Sequence, residues 1–497
     1  MYGKQENDGE QLGNSRKSQE EEIYKEAEFL RSYVGYEILD DVADNFNGNT
    51  ERGNEIRGLL NNAQANILKS HKKKHALYAF LSFKEGKKND ANNWLKNRPI
   101  TSALTQFNDK YLDEIHCLYF TYEGYTFLGQ KQKAPNDGSN AFEEGLFNRV
   151  PFETKFIEAR YKKNFKKRRS RNVEHINPGK IENVHCLYFI ATDNIDDIRK
   201  CQQDISGAIK DFAHVFFEIG SRTVPSDVND ENQDIVDWFG FRDGISNPRF
   251  FPGDNYKEKL GTNYEEPSVL KVVLRPDFRA GGSTSHSCGS FVVFMKLEQN
   301  IENFNNAVEQ LVRRAGEGAR RDLILAQLIG RFQDGTPLVL SDKPNDKISK
   351  INFDYSDDKK GFKCPLHAHI RKANPMGKNN KQKRIVRRGM FYGVDTKGKK
   401  GKGMLFMSFQ SDLELQFEDI VNRQMYRSNP QVYGNDAFEP LILLKNKVNP
   451  PKRNYSIGWG EPTSYFGSYN EKTRLVTIRG GFYFFAPSIK FIKECLD

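Results

Sequence analysis

The chain has 497 residues, 37% of them hydrophobic, with 37 Phe and 21 Tyr. That is too long for one small core and too rich in apolar bulk for a disordered chain. Its 76 bases are interspersed with 66 acids, so the net charge of +10 reads as a solvated, lysine-rich surface, and no nucleic-acid partner is expected. No apolar run approaches the roughly 20 residues of a membrane span. No signal sequence opens the chain, and six scattered cysteines without a C-x-x-C pair give neither a disulfide framework nor a cysteine-rich zinc site, so a cytoplasmic protein is expected.

Residues 1–56 form a polar extension rich in Glu, Asn, Lys and Gly, with a helix predicted near Glu20 to Tyr36. Leu59 to Lys69 has helical spacing, and His75 to Phe83 reads as a strand. Ile115-His116-Cys117-Leu118-Tyr119-Phe120 is echoed by Val184-His185-Cys186-Leu187-Tyr188-Phe189, two β-rich runs whose histidines read as strand residues, not ligands. The basic run Lys162 to Arg171 reads as an exposed loop. A helix is predicted over Ile195 to Phe212 and a strand over His214 to Glu218. The turn-rich stretch Pro225 to Asn232 divides the chain into units 57–225 and 226–497. The second unit predicts a strand at Ser290 to Leu297, one long helix from Ile301 to Leu328, and a strand at Met404 to Phe409. A helix from Asp412 to Arg423 and strands at Arg474 to Ile478 and Gly481 to Phe485 follow. The fold class is α+β, with sheets covered by helices on one face.

Two segments carry chemistry. In Gly240-Phe241-Arg242-Asp243-Gly244-Ile245-Ser246-Asn247-Pro248 a single carboxylate stands between glycines that let the backbone approach a ligand. It reads either as a turn cap or as a proton carrier. About 120 residues later, Cys364-Pro365-Leu366-His367-Ala368-His369-Ile370-Arg371 precedes Ile385-Val386-Arg387-Arg388-Gly389. Cys364, His367 and His369 would offer zinc three ligands, but the spacing fits no common zinc motif. A haem iron needs one neutral imidazole on an apolar face, and His369, between Ala368 and Ile370, suits this better than His367. Arg387, charged at every working pH, would stabilise developing negative charge, with an ordinary ion pair as the plainer reading and Arg388 as its rival. A carboxylate beside Arg387 is expected to have a lowered pKa and to stay a competent base in mild acid.

Taken together these segments resemble the dye-decolorizing peroxidase family: G-x-x-D-G, then H-I-R with a following proline, then an arginine shortly before a glycine. Gln64 to Leu68, Gly289-Ser290-Phe291, Gly330-Arg331 with Asp334-Gly335-Thr336-Pro337, and Gly480 to Ser488 agree, and the likeness covers roughly residues 57 to 495. The resemblance implies two ferredoxin-like modules of antiparallel sheet and helices, with haem b in the C-terminal one. It implies His369 as the iron ligand and Asp243 and Arg387 as the distal pair. Phe406 and Met404 would line the pocket, with Gly244 beside the cofactor and Arg371 reaching a haem propionate. The implied chemistry is reduction of hydrogen peroxide through a ferryl-oxo porphyrin radical, with oxidation of organic donors such as dyes and phenols. Where the family often has an acid after the Gly-Gly near the C-terminus this chain has Phe482, which leaves Glu418 or Asp419 to support the histidine. Met376 stands where an arginine often follows the proline. Trp238 is the first candidate for a surface site that oxidises bulky dyes. The alternatives are a haem-handling protein with weak peroxidase activity and a non-catalytic basic binding protein.

Overall fold

Side-chain alternation along the strands decides the architecture, because each strand serves two different cores. In the computed structural model, residues 51–109, 111–136, 138–150, 183–222, 236–248, 272–277, 287–348, 353–373, 383–393, 401–425, 439–442, 455–461, 465–466 and 474–496 are described. Helix α1 (Glu51–Asn62) leads into strand β1 (His75–Phe83), helix α2 (Lys88–Lys96) and strands β2 (Glu114–Phe120) and β3 (Cys186–Thr192). Helix α3 (Ile195–Ile209) and strand β4 (Ala213–Ser221) complete the first half. The second half holds β5 (Cys288–Gln299), helices α4 (Ile301–Ala315), α5 (Arg321–Ile329) and α6 (His369–Ala373), and strands β6 (Met390–Tyr392) and β7 (Gly403–Gln410). It closes with α7 (Asp419–Met425), β8 (Val476–Ala486) and α8 (Ile489–Glu494).

Each half is a β-α-β-β-α-β unit with its first strand beside its fourth and third, the split βαβ pattern. The two sheets are not separate. β8 pairs with β2 at Phe485↔Phe120, and β4 pairs with β6 at Ser221↔Phe391, so the eight strands run β5-β8-β2-β3-β1-β4-β6-β7 and back to β5 as a closed antiparallel ring. Alternate residues such as Tyr78, Phe80, Phe189, Phe294 and Leu405 pack in one core. Their neighbours, including Leu77, Leu81, Tyr188 and Val293, pack in a second core that Ile198, Ile205 and Ile209 of α3 help to fill.

Several boundaries differ from the sequence reading. The first helix ends at Asn62 because Asn66 adopts φ +66° and Gln64 turns its amide to the carbonyls of Leu118 and Pro487. The long helix is two, broken where Gly316 and Gly318 take φ +86° and +82°. Asp412 accepts the Leu415 amide and starts a π-helical turn, Leu413–Glu418, before α7. The last two strands are one strand with an irregularity between Ile478 and Gly480. Glu20 to Tyr36, Lys162 to Arg171, Pro225 to Asn232 and Met376 lie outside the described residues. Among the described residues no helix is long and apolar enough to cross a membrane.

Candidate active site

A cavity of about 270 Å³ lies against the second half of the ring. Met295 and Leu297 of β5, Met404 and Phe406 of β7, and Val476 and Ile478 of β8 form its floor, all from one face of the sheet. Phe417 of the π-helical turn and Val421 of α7 add a wall. Asp243, Arg387 and His369 all open into this one apolar space.

The loop 236–248 is shaped by its own residues. Asp237 Oδ1 accepts the amides of Phe239 (3.0 Å) and Phe241 (2.8 Å), and Gly240 and Gly244 take φ +86° and +80°. A Cβ at Gly240 would collide with the Gln333 side chain. Gly244 does not line the cavity, and its conformation alone accounts for the glycine. The loop is pinned to Arg387, whose amide donates to Asn247 Oδ1 (3.0 Å) and whose Nη2 donates to the Ile245 carbonyl (2.7 Å). Arg387 Nη1 then reaches Asp243 Oδ1 at 3.2 Å. Arg388 points away and caps the carbonyls of Asn66, Ile67 and Leu68, which removes it as a rival.

His369 opens α6, and its Nδ1 lies 3.0 Å from Glu439 Oε1. Burial pushes the Glu439 carboxyl up, but the hydrogen bond and charge of His369 and the amides of Ile442 and Leu441 outweigh it and hold the carboxyl below its usual range. When the ring is neutral, a carboxylate accepting from Nδ1–H leaves Nε2 as a bare lone pair on a ring that faces the cavity, the form that binds a metal. Glu439 was not found in the sequence. The two acids expected there are committed elsewhere, Glu418 to Arg149 (2.9 Å) and Tyr483 (3.1 Å), Asp419 to Lys383 (3.2 Å).

Arg371 stands apart from the cavity. It donates to Asp358 Oδ2 (2.8 Å) and the Cys364 carbonyl (2.5 Å), covers the Tyr355 ring, and does not line the cavity. The cations that do are Arg242, Arg331, Lys383, Arg384 and Arg387. His367 is buried under the Tyr455 ring, 4.9 Å between centroids. One imidazole with a free nitrogen, broad apolar walls and several cations suits a flat, iron-bearing, carboxylate-tailed macrocycle. It does not suit a zinc ion, which wants four close donors.

The family model described as "Dyp-type peroxidase, C-terminal" matches residues 234–432. The chain is 35% identical over 290 residues to the multifunctional dye peroxidase DyP2 of an Amycolatopsis species, covering 53% of this chain and 61% of that one. It is 27% identical over 354 residues to a dye-decolorizing peroxidase of Mycetinis scorodonius, covering 63% and 66%. The chain thus spans a little under two thirds of the length of these relatives. A DyP-type peroxidase structure from an Anabaena species superposes with a TM-score of 0.74 at 28% identity, covering 90% of this chain and 96% of that one.

Proposed function

We infer that the chain belongs to the Dyp-type peroxidase family and propose, from that premise, that it is a haem-dependent peroxidase that reduces hydrogen peroxide and oxidises organic donors such as dyes and phenols. The observation that carries the reading is the convergence on one apolar cavity of a carboxylate-backed imidazole and an Asp–Arg pair. His369 Nε2 is the nitrogen that would hold the iron. Arg331, Arg384 and Lys383 are the cations placed for the cofactor's carboxylates, in the role first given to Arg371. The family resemblance supports haem b as the group, and the sequence has no C-x-x-C to form thioether links. When bound, haem supplies the redox chemistry by which peroxide accepts two electrons that donors return one at a time.

The chain's own residues handle charge and protons. Asp243 takes a proton from one peroxide oxygen and returns it to the other, which leaves as water. The Arg387 guanidinium keeps its charge at every working pH and stabilises the negative charge that grows on the departing oxygen. It also fixes Asp243 in place through the 3.2 Å contact. Met404, Phe406 and Phe417 keep the pocket apolar, which strengthens both effects. Trp238 is a poorer surface relay than the sequence implies. The Lys402 ammonium stands 4.5 Å from its ring centroid and opposes positive charge on the indole. The haem-handling alternative gives the Asp243–Arg387 pair no task. Six free thiols, five of them buried, fit a reducing compartment such as the cytoplasm.

The test is the visible spectrum of the haem-supplied protein before and after one equivalent of peroxide. A Soret band that shifts with peroxide is expected, lost or altered in His369→Ala. Asp243→Asn should keep the band and slow its shift by about 100-fold or more, the range for a positioned proton carrier. A protein that takes up no haem would end this reading.

A further inference from the structure

The pocket holds a second carboxylate that the peroxide shuttle does not use. Asp237 lines the cavity six residues before Asp243 on the same loop. Its Oδ1 is occupied by two backbone amides, while its Oδ2 accepts Gln299 Nε2 at 3.0 Å. Gln299 sits at the end of β5, lines the same cavity and is only 8% exposed, yet its Oε1 has no partner among the described residues. A buried amide oxygen without a donor is costly, so this one calls for a proton or a ligand hydroxyl to meet it.

The net reaction gives a second proton carrier a task. One peroxide and two donor molecules, each giving up a hydrogen, yield two waters and two donor radicals. The first water leaves with both peroxide hydrogens as the O–O bond breaks, one of them moved by Asp243. The second oxygen becomes water only after two electrons and two protons arrive, both released by the donors. Protons must therefore enter the pocket during donor oxidation, one with each electron, and a second carboxylate on the same loop can deliver them while Asp243 is charged or engaged.

We propose that Asp237, paired with Gln299, is that second carrier, loading a proton and releasing it into the pocket that Asp243 serves. This inference rests on the peroxidase reading. The hydrogen bonds permit two states. With Asp237 charged, Oδ2 accepts from Gln299 Nε2, as observed. With Asp237 protonated and the amide turned over, its hydroxyl donates to Gln299 Oε1, which gives that oxygen its partner.

The surroundings allow both states near neutrality. Burial pushes the Asp237 carboxyl up, with help from the Asp243 charge and against the Phe241 and Phe239 amides and Gln299, to about 6. The charged groups nearby are Asp243 and Arg242 on its own loop, and Arg387 beyond Asp243. Lys402, whose carbonyl accepts the Gln299 amide, stands over the Trp238 ring. The protonated form is present below about pH 6 and is lost as pH rises through it, so donor oxidation should weaken in that direction.

Asp237→Asn removes the proton but keeps an oxygen for the loop amides. In the haem-free protein, an infrared carbonyl band of a protonated carboxyl should titrate near pH 6 in the parent and be absent in the variant. Asp277, also pushed up to about 6, remains in both and cancels in the difference. In the haem-loaded protein, turnover at saturating donor should fall on the order of 100-fold at pH 5 and lose its inflection near pH 6, as for removal of a positioned proton carrier. The Soret shift on adding peroxide should keep its rate. Unchanged turnover with an unchanged pH profile would overturn the proposal. If the variant takes up no haem, Gln299→Leu decides. Loss of the Nε2 donor destabilises the charged form, so the inflection must move to higher pH, and a fixed inflection would overturn the proposal. A parent protein that never reacts with peroxide sinks the peroxidase reading and this inference with it. A reactive parent beside an unaltered variant sinks this inference alone.

Discussion

His369 takes its chemistry from a residue seventy positions away. The G-x-x-D-G and H-I-R segments were legible because each packs its group and its backbone punctuation into a few residues. Glu439 lies in a stretch, Phe438-Glu439-Pro440, with no periodicity or motif to mark it. Only the fold brings it within 3.0 Å of Nδ1. Arg371 is the opposite case, since its motif named it while Asp358 and the Cys364 carbonyl hold its guanidinium. With His369 as the proposed iron ligand, Glu439→Gln should keep haem binding but leave the imidazole less electron-rich. The peroxide reaction, followed by rapid mixing, should slow about 10–100-fold, the usual effect of losing such a partner. The iron reduction potential should rise. An unchanged potential would show that the 3.0 Å contact does not tune the ligand.

At the scale of elements, β7 decides how deep the cavity is, because Met404 and Phe406 reach it from alternate positions of one strand. The strand opens on Gly403, where a Cβ would fall on the Leu297 carbonyl of β5 and against the Tyr392 ring. Gly403→Ala must push the two strands apart. Thermal unfolding should report a loss of about 1–3 kcal/mol, typical of overpacking, together with weaker haem uptake. Strand centres were readable from hydrophobic runs, and β1 matches its expected span residue for residue. Helix ends were not. Gly316 and Gly318 did mark the break inside the long helix, but apolar periodicity on both sides outweighed them in a reading by period alone. The π-helical turn has no sequence signature of this kind, yet it puts Phe417 into the cavity.

Across the whole molecule, the sequence suggested two modules but not that their sheets would meet at both sides. The two seams rest on single pairings, Phe485↔Phe120 and Ser221↔Phe391, too short to leave a pattern. Asp277 helps hold one seam by accepting the Ser488 amide (3.2 Å) just ahead of α8. Burial pushes its carboxyl up to about 6, against the Ser488 amide and hydroxyl. Its folded value therefore exceeds its unfolded one, and the folded state keeps a proton that the unfolded chain has lost. Stability from this group is present below about pH 4 and declines as pH rises towards 6, and Asp237 acts in the same direction. Asp277→Asn should flatten the fall in Tm between pH 4 and 6, and parallel Tm curves for the two proteins would refute this.

Closure of the ring has a further result for a chain carrying 37 Phe. An open sheet ends in a row of unsatisfied amides and carbonyls that can recruit another molecule's strand and seed fibrous aggregates. Each of the eight ring strands has a neighbour on both sides. Once the seams are shut, no ring strand has a side without a neighbouring strand, so the hazard is greatest for newly made chains whose halves have not yet joined.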